Sequence, residues 1–164
     1  MTDRELIADS SPLIALAVID ALDLLPRLYR RVLVPPAVWH EVTVAGAGQP
    51  GADTVRAASW IEFEQPPPTA VAPLQILVDR GEAAAIALTA ARPGSILLLD
   101  DSRARRVAET LGLPRIGTLG VLRKAKESGM VDALAPLIQR LADQGIYVGA
   151  KLVDAVLRAV GERQ

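Results

Sequence analysis

Apolar residues along the chain fall into short blocks of two kinds, and the two kinds alternate. Unbroken runs that stop at acids or prolines read as buried strands. They are Glu5-Leu6-Ile7-Ala8 before Asp9, Arg31-Val32-Leu33-Val34 before Pro35-Pro36, and Ser95-Ile96-Leu97-Leu98-Leu99 before Asp100-Asp101. Trp60-Ile61-Glu62-Phe63 alternates as a further strand, and Pro114-Arg115-Ile116 suits a short edge strand. Helical stretches lie between them. Ser10-Ser11-Pro12 offers a capping hydroxyl followed by a proline at the first helical position, which predicts a helix from residue 13 to about 25. Pro36 opens another through about residue 42, and a short one falls near 53–58. Residues 74–78 and 81–88 read as helix, and 102–111 as a helix closed by Gly112. Three amphipathic helices follow at 118–126, 132–142 and 152–160. Prolines from 66 to 73 predict an extended surface linker. Strands alternating with helices predict an α/β fold, its parallel sheet covered on both faces and joined by right-handed crossovers.

Composition narrows the chemistry. The 164 residues suit a single domain, and 51% of them are hydrophobic, mostly Ala, Leu and Val, which argues against disorder. Cysteine is absent and His40 is the only histidine. Disulfides, thiol nucleophiles, iron–sulfur clusters and Cys-based or multi-His metal sites are therefore excluded. The longest early apolar run, residues 13–19, is far short of the roughly 20 residues a membrane span needs. No signal-peptide pattern accompanies it, so a cytoplasmic protein without a membrane partner is expected. Eighteen basic residues face 19 acidic ones, which gives no global attraction to nucleic acid. Metal or acid–base chemistry thus falls to carboxylates.

Functional groups of open α/β sheets collect at the carboxyl ends of strands, above all where strand order reverses. Asp9 and the pair Asp100-Asp101 end predicted strands, and Glu41 and Glu82 sit on helices able to project to the same edge. Together they suggest a cup of carboxylates for Mg²⁺ or Mn²⁺, hard ions that prefer oxygen ligands and keep waters able to attack a phosphodiester. Two carboxylates about 4 Å apart repel by roughly 4 kcal/mol at an effective dielectric near 20, so such a group needs a cation or bound protons. Each residue also has an ordinary reading: a strand-end Asp often caps a helix, and a lone helical Glu is often solvated. Ser10, beside Asp9, is the auxiliary candidate, while Ser11 reads as an N-cap. His40 reads as a helix-surface residue next to Glu41.

Gly46-Ala47-Gly48-Gln49-Pro50-Gly51 has the letters of a dinucleotide fingerprint, but a helix rather than a strand is predicted before it, so it reads as a connection. Neither a nucleophile elbow nor a Walker A sequence occurs. From 102 to 126, Arg103, Arg105, Arg106, Arg115, Arg123, Lys124 and Lys126 are opposed only by Glu109. Such a run is ordinarily a solvated face; because it starts beside Asp100-Asp101, Arg103 and Arg106 are the candidates to meet phosphates of a nucleic acid. Scarce aromatics argue against strong single-strand sequence readout.

Four stretches stand in the order seen in PIN-domain proteins. They are Ile7-Ala8-Asp9-Ser10-Ser11-Pro12-Leu13-Ile14, Val34-Pro35-Pro36-Ala37-Val38-Trp39-His40-Glu41-Val42, Gly81-Glu82-Ala83-Ala84-Ala85-Ile86 and Leu99-Asp100-Asp101-Ser102-Arg103-Ala104-Arg105. The chain resembles that family over nearly its whole length. The chain is similar to a prokaryotic PIN-like group related to the VapC toxins, also marked by Gly117-Thr118-Leu119-Gly120-Val121-Leu122. The resemblance implies a three-layer α/β/α fold with a central, mostly parallel sheet and extra C-terminal helices over about 130–164. It also implies a divalent-metal-dependent endoribonuclease, the toxin of a toxin–antitoxin pair. Asp9, Glu41, Glu82 and Asp101 would be its four catalytic acids, with Asp9, Glu82, Asp100 and Asp101 in the metal site. Glu82 stands where many members have Asp, and Asp100 where a small polar residue is usual. RNA, an antitoxin protein and a second copy of the chain are the expected partners. The competing expectation is a PIN-like module that keeps the acids but binds RNA or protein without cleaving. A receiver-type phosphorylation domain is disfavoured, because there the acidic pair ends the first strand.

Overall fold

The computed structural model describes residues 2–164. One sheet of five strands, all parallel, runs in the order β3-β2-β1-β4-β5 among the described residues. The strands are β1 (Thr2–Ala8), β2 (Tyr29–Val34), β3 (Ile61–Phe63), β4 (Ile96–Leu98) and β5 (Arg115–Ile116). The helices are α1 (Ser10–Val18), α2 (Leu24–Leu28), α3 (Pro36–His40), α4 (Ala52–Arg56), α5 (Pro68–Leu74), α6 (Arg80–Ala91), α7 (Ser102–Thr110), α8 (Thr118–Glu127), α9 (Ala135–Asp143) and α10 (Ala150–Ala159). A π turn, Glu41–Ala45, continues α3.

Side chains alternate across the sheet, and both faces are covered, which is why the strands are apolar at successive positions. Leu6, Ala8, Val32, Val34, Ile96 and Leu98 join a core built with α1, α2 and α8. Ile7, Leu33 and Leu97 face the other way, onto Ala85, Ile86 and Leu88 of α6 and Ala104 and Ala108 of α7. The alanines of α6 let it settle close to the sheet, and it is buried from Gly81 to Thr89. The result is the expected three-layer α/β/α arrangement. At the C-terminus, Ile138 and Leu141 of α9 and Val156 and Leu157 of α10 extend the α8 side of the core. Glu162 accepts hydrogen bonds from the N–H groups of Leu134 and Ala135 at 2.7 and 3.0 Å, tying the chain end to the start of α9. No helix among the described residues is long and apolar enough to cross a membrane.

Three expectations need correction. The helix expected over 13–25 is two helices. Asp20 adopts a left-handed conformation (φ 57°), and the N–H groups of Asp20 and Ala21 turn back to the carbonyls of Ala17 and Leu16. That is a Schellman closure, with Asp in the place glycine usually takes. The linker expected over 66–73 is instead α5. Pro68 occupies its first turn, where a missing N–H costs nothing, and the N–H groups of Ala70 and Val71 bond to the Pro67 carbonyl. The helix expected over 74–78 is only the end of α5 followed by turns. The glycine-rich stretch at 46–51 follows the π turn and not a strand, as expected; a Cβ on Gly51 (φ 87°) there would stand 3.3–3.4 Å from atoms of α1.

Candidate active site

Strand order runs outward from β1 in both directions, so the crevice between the carboxyl ends of β1 and β4 is the switch point of the sheet. Asp9 leaves β1 there, its N–H bonded to the Leu98 carbonyl at 3.0 Å, and Asp100 and Asp101 leave β4 beside it. Asp9 is only 2% exposed, and its Oδ1 has no hydrogen-bond partner. It holds the N-cap position of α1 without making a side-chain cap. Ser11 is therefore not the cap, and Pro12 sits third in the helix rather than first. Ser10 begins α1 and donates its hydroxyl to Glu41 Oε2 at 3.0 Å.

Glu41 opens the π turn and lies against α6 at Gly81. A Cβ on Gly81 would stand 2.5 Å from Glu41 Oε2 and 3.6 Å from Asp9 Oδ1. The bare Cα of Gly81 is thus a wall of the site. Next along α6, Glu82 is 9% exposed and shares a capping box with Asp79. The Glu82 N–H donates to Asp79 Oδ1 at 2.8 Å, and the Asp79 N–H donates to Glu82 Oε1 at 3.1 Å. Asp79, Glu82, Asp101 and Arg103 border one open cleft of about 350 Å³. Asp79 was not among the acids expected here. Its signal was present in the sequence, since Asp79-Arg80-Gly81-Glu82 has capping-box spacing.

The two adjacent acids after β4 diverge. Asp101 caps α7, accepting from the Ala104 N–H at 2.8 Å, and borders the acidic cleft. Asp100 instead accepts from both the backbone N–H (2.8 Å) and the hydroxyl of Thr118 at the start of α8. Its expected place among the metal ligands thus has a different occupation in the structure: it anchors α8. Asp100→Ala is expected to cost about 1–2 kcal/mol of stability, the usual scale of a lost helix-end partner. A urea titration measures it, and an Asp100→Ala protein that instead lost its thermal response to Mn²⁺ would place Asp100 back among the ligands. Arg103 borders the cleft, whereas Arg106 is exposed elsewhere on α7. His40 is exposed at the end of α3.

The electrostatics single out this edge. Burial pushes the Asp9 carboxyl up to about 8; the Ser10 N–H pulls the other way, and the charges of Glu82, Asp79 and Glu41 add to the rise. Glu82 is also raised, by burial first and by Asp79 and Asp101. Glu5 in β1 makes the contrast: Arg30, Arg31 and Arg92 all contact it and hold its carboxyl below the ordinary value despite partial burial. No ion pair among the described residues involves Asp9, Glu41, Asp79, Glu82, Asp100 or Asp101. The acids gather without an ion-pair partner.

An all-oxygen donor set with an unpartnered buried carboxylate oxygen fits a hard divalent cation. Among the described residues no three acids or histidines are arranged to hold an ion unaided. Waters would complete the shell, as small hard ions prefer.

Fold and site together define an α/β domain with an acidic centre at the switch point of its sheet. A PIN-domain family model matches residues 5–162, and the chain belongs to the PIN-domain family, whose fold is of the nuclease type. No curated protein matches the chain.

Proposed function

We propose that this chain is a divalent-metal-dependent endoribonuclease that hydrolyses RNA phosphodiesters. The observation that carries the reading is Asp9: a nearly inaccessible carboxylate at a strand end, one oxygen unpartnered, ringed by further acids without a basic partner. Burying such a charge is costly unless something compensates it, and a bound cation does so. Asp9, Glu82 and Asp101 would hold Mg²⁺ or Mn²⁺, directly or through water, with Glu41 a further ligand. Bound there, the ion supplies Lewis-acid charge and a water of lowered pKa. The chain's own groups set the geometry. Ser10 fixes Glu41 through its hydroxyl, the Asp79 N–H fixes one oxygen of Glu82, and Arg103 stands at the cleft to meet a phosphate. The likeness to the VapC-related group supports a toxin role, with an antitoxin protein as partner and a second copy as a further one.

One observation favours the second reading, a PIN-like module that binds RNA or protein without cleaving: the capping box already engages Glu82, and no three acids are arranged to hold an ion unaided. Incubating the pure protein with end-labelled RNA separates the two. Internal cleavage in Mn²⁺ or Mg²⁺ that stops in excess EDTA is expected. Cleavage surviving EDTA overturns the metal dependence. Salt-sensitive binding without cleavage selects the binding module.

A further inference from the structure

We propose that the cleft between α3, α5 and α6 is a subsite for one unpaired nucleotide of the RNA adjoining the scissile bond, with Arg80 on its phosphate. This deepens the nuclease reading and rests on it.

The cleft encloses about 530 Å³, and Pro36, His40, Gln65, Pro68, Gln75 and Arg80 border it. Pockets for small ligands run from about 300 to 1,000 Å³, so a nucleotide fits where a duplex does not. It neighbours the acidic cleft, because Gln75 borders both. The stretch from Gln75 to Ala84 contributes to both clefts. His40 precedes Glu41, and Arg80 and Glu82 flank Gly81, the wall beside Asp9 and Glu41.

The chemistry of the lining suits an unpaired nucleotide. Two proline rings and an imidazole offer surfaces for a base, two carboxamides offer donors and acceptors for its edge, and a guanidinium matches phosphate. Arg80 is exposed at the first position of α6 and makes neither an ion pair nor a side-chain hydrogen bond among the described residues, unlike Arg30, Arg31 and Arg92. Arg103 on the acidic cleft is likewise unpaired. Two free guanidiniums, one bordering each cleft, can each hold a phosphate. A base can enter the α3/α5/α6 cleft only when it is unpaired, so this subsite takes a nucleotide that lies outside a duplex.

The test measures binding of a labelled single-stranded RNA by fluorescence anisotropy across a salt series. It uses Asp9→Asn protein, so that the RNA stays intact, and a blunt RNA duplex as competitor. Arg80→Gln is expected to weaken binding about tenfold and to lower the slope of log affinity against log salt by about 0.7–1, the signature of one lost phosphate contact. Val71→Trp, which fills the cleft from α5, is expected to weaken binding comparably, and the duplex to compete poorly. Thermal melts confirm that both variants fold. Unchanged binding in either variant, or equal competition by the duplex, overturns the subsite. If wild type still cleaves RNA in Mn²⁺ in that case, the nuclease reading stands. A parent that neither binds nor cleaves RNA overturns both.

Discussion

Asp9→Asn is expected to abolish cleavage, by about 10³-fold or more, and yet to leave the metal-free protein more stable than wild type at about pH 8.5. Loss of activity follows if Asp9 holds the ion. The gain in stability follows from burial. The Asp9 carboxyl sits near 8 in the folded chain, against 3.8 ordinarily. Between those values the folded protein keeps a proton that the unfolded chain has released. Stability of the metal-free protein therefore falls as pH rises through that window and levels off above it. A shift of this size corresponds to an upper limit of about 6 kcal/mol, and relaxation around the charge reduces it, so a difference of roughly 1–3 kcal/mol is expected. Glu82 adds to the slope with the same sign, because its carboxyl is also raised. Asparagine fills the same space without a charge, which flattens the curve. Mn²⁺ reverses the ranking, stabilising wild type by binding only its folded state and leaving Asp9→Asn unmoved. Urea titrations of both proteins in EDTA and in Mn²⁺, at about pH 5 and pH 8.5, measure all of this. A wild type equally stable at the two pH values, or an Asp9→Asn protein less stable than wild type at the higher one, would refute the account of Asp9.

The contrast between Asp9 and Asp100 explains what the chain discloses on reading and what it withholds. Asp9 was legible because a strand buried on both faces has to end at the sheet edge, and whatever follows Ile7-Ala8 is delivered there. The same logic brought Asp100 and Asp101 to that edge, but not their division of labour. Which of two neighbouring acids enters the cleft depends on where α8 begins, and Thr118 is placed by packing of Leu119, Val121 and Leu122 into the core. Asp79 carried a local signal, its spacing to Glu82, while its nearness to Asp9 follows from how α6 docks on the sheet. The second cleft has no local signal, since α3, α5 and α6 meet only in the fold. The same limit hid α5, whose prolines fit a first turn as well as an extended chain and which buries no residue to produce a pattern.

Gly81→Ala is the substitution expected to separate the site from the fold most cleanly. Gly81 has no left-handed backbone requirement, so alanine meets no conformational strain and, within a helix, gains a few tenths to about 1 kcal/mol. Its difficulty is local: the new Cβ would stand 2.5 Å from Glu41 Oε2. The Glu41 carboxylate is the end of a movable side chain on the exposed side of the site, so it swings away rather than forcing α6 off the sheet. The Ser10 hydrogen bond goes with it, leaving Glu41 misplaced by about an ångström, a displacement that costs on the order of 10²-fold in rate. Stability is expected to remain within about 1 kcal/mol of wild type. The double variant Gly81→Ala, Glu41→Asp supplies the control, because the shorter acid withdraws from the added methyl; it should recover part of the activity that Gly81→Ala alone loses. Cleavage rates in Mn²⁺ and urea midpoints for the three proteins decide the matter. Full activity in Gly81→Ala would remove Glu41 from the working site. A loss of several kcal/mol would make Gly81 a packing residue of α6, and recovery by the shorter acid at unchanged stability would tie the glycine to the position of the Glu41 carboxylate.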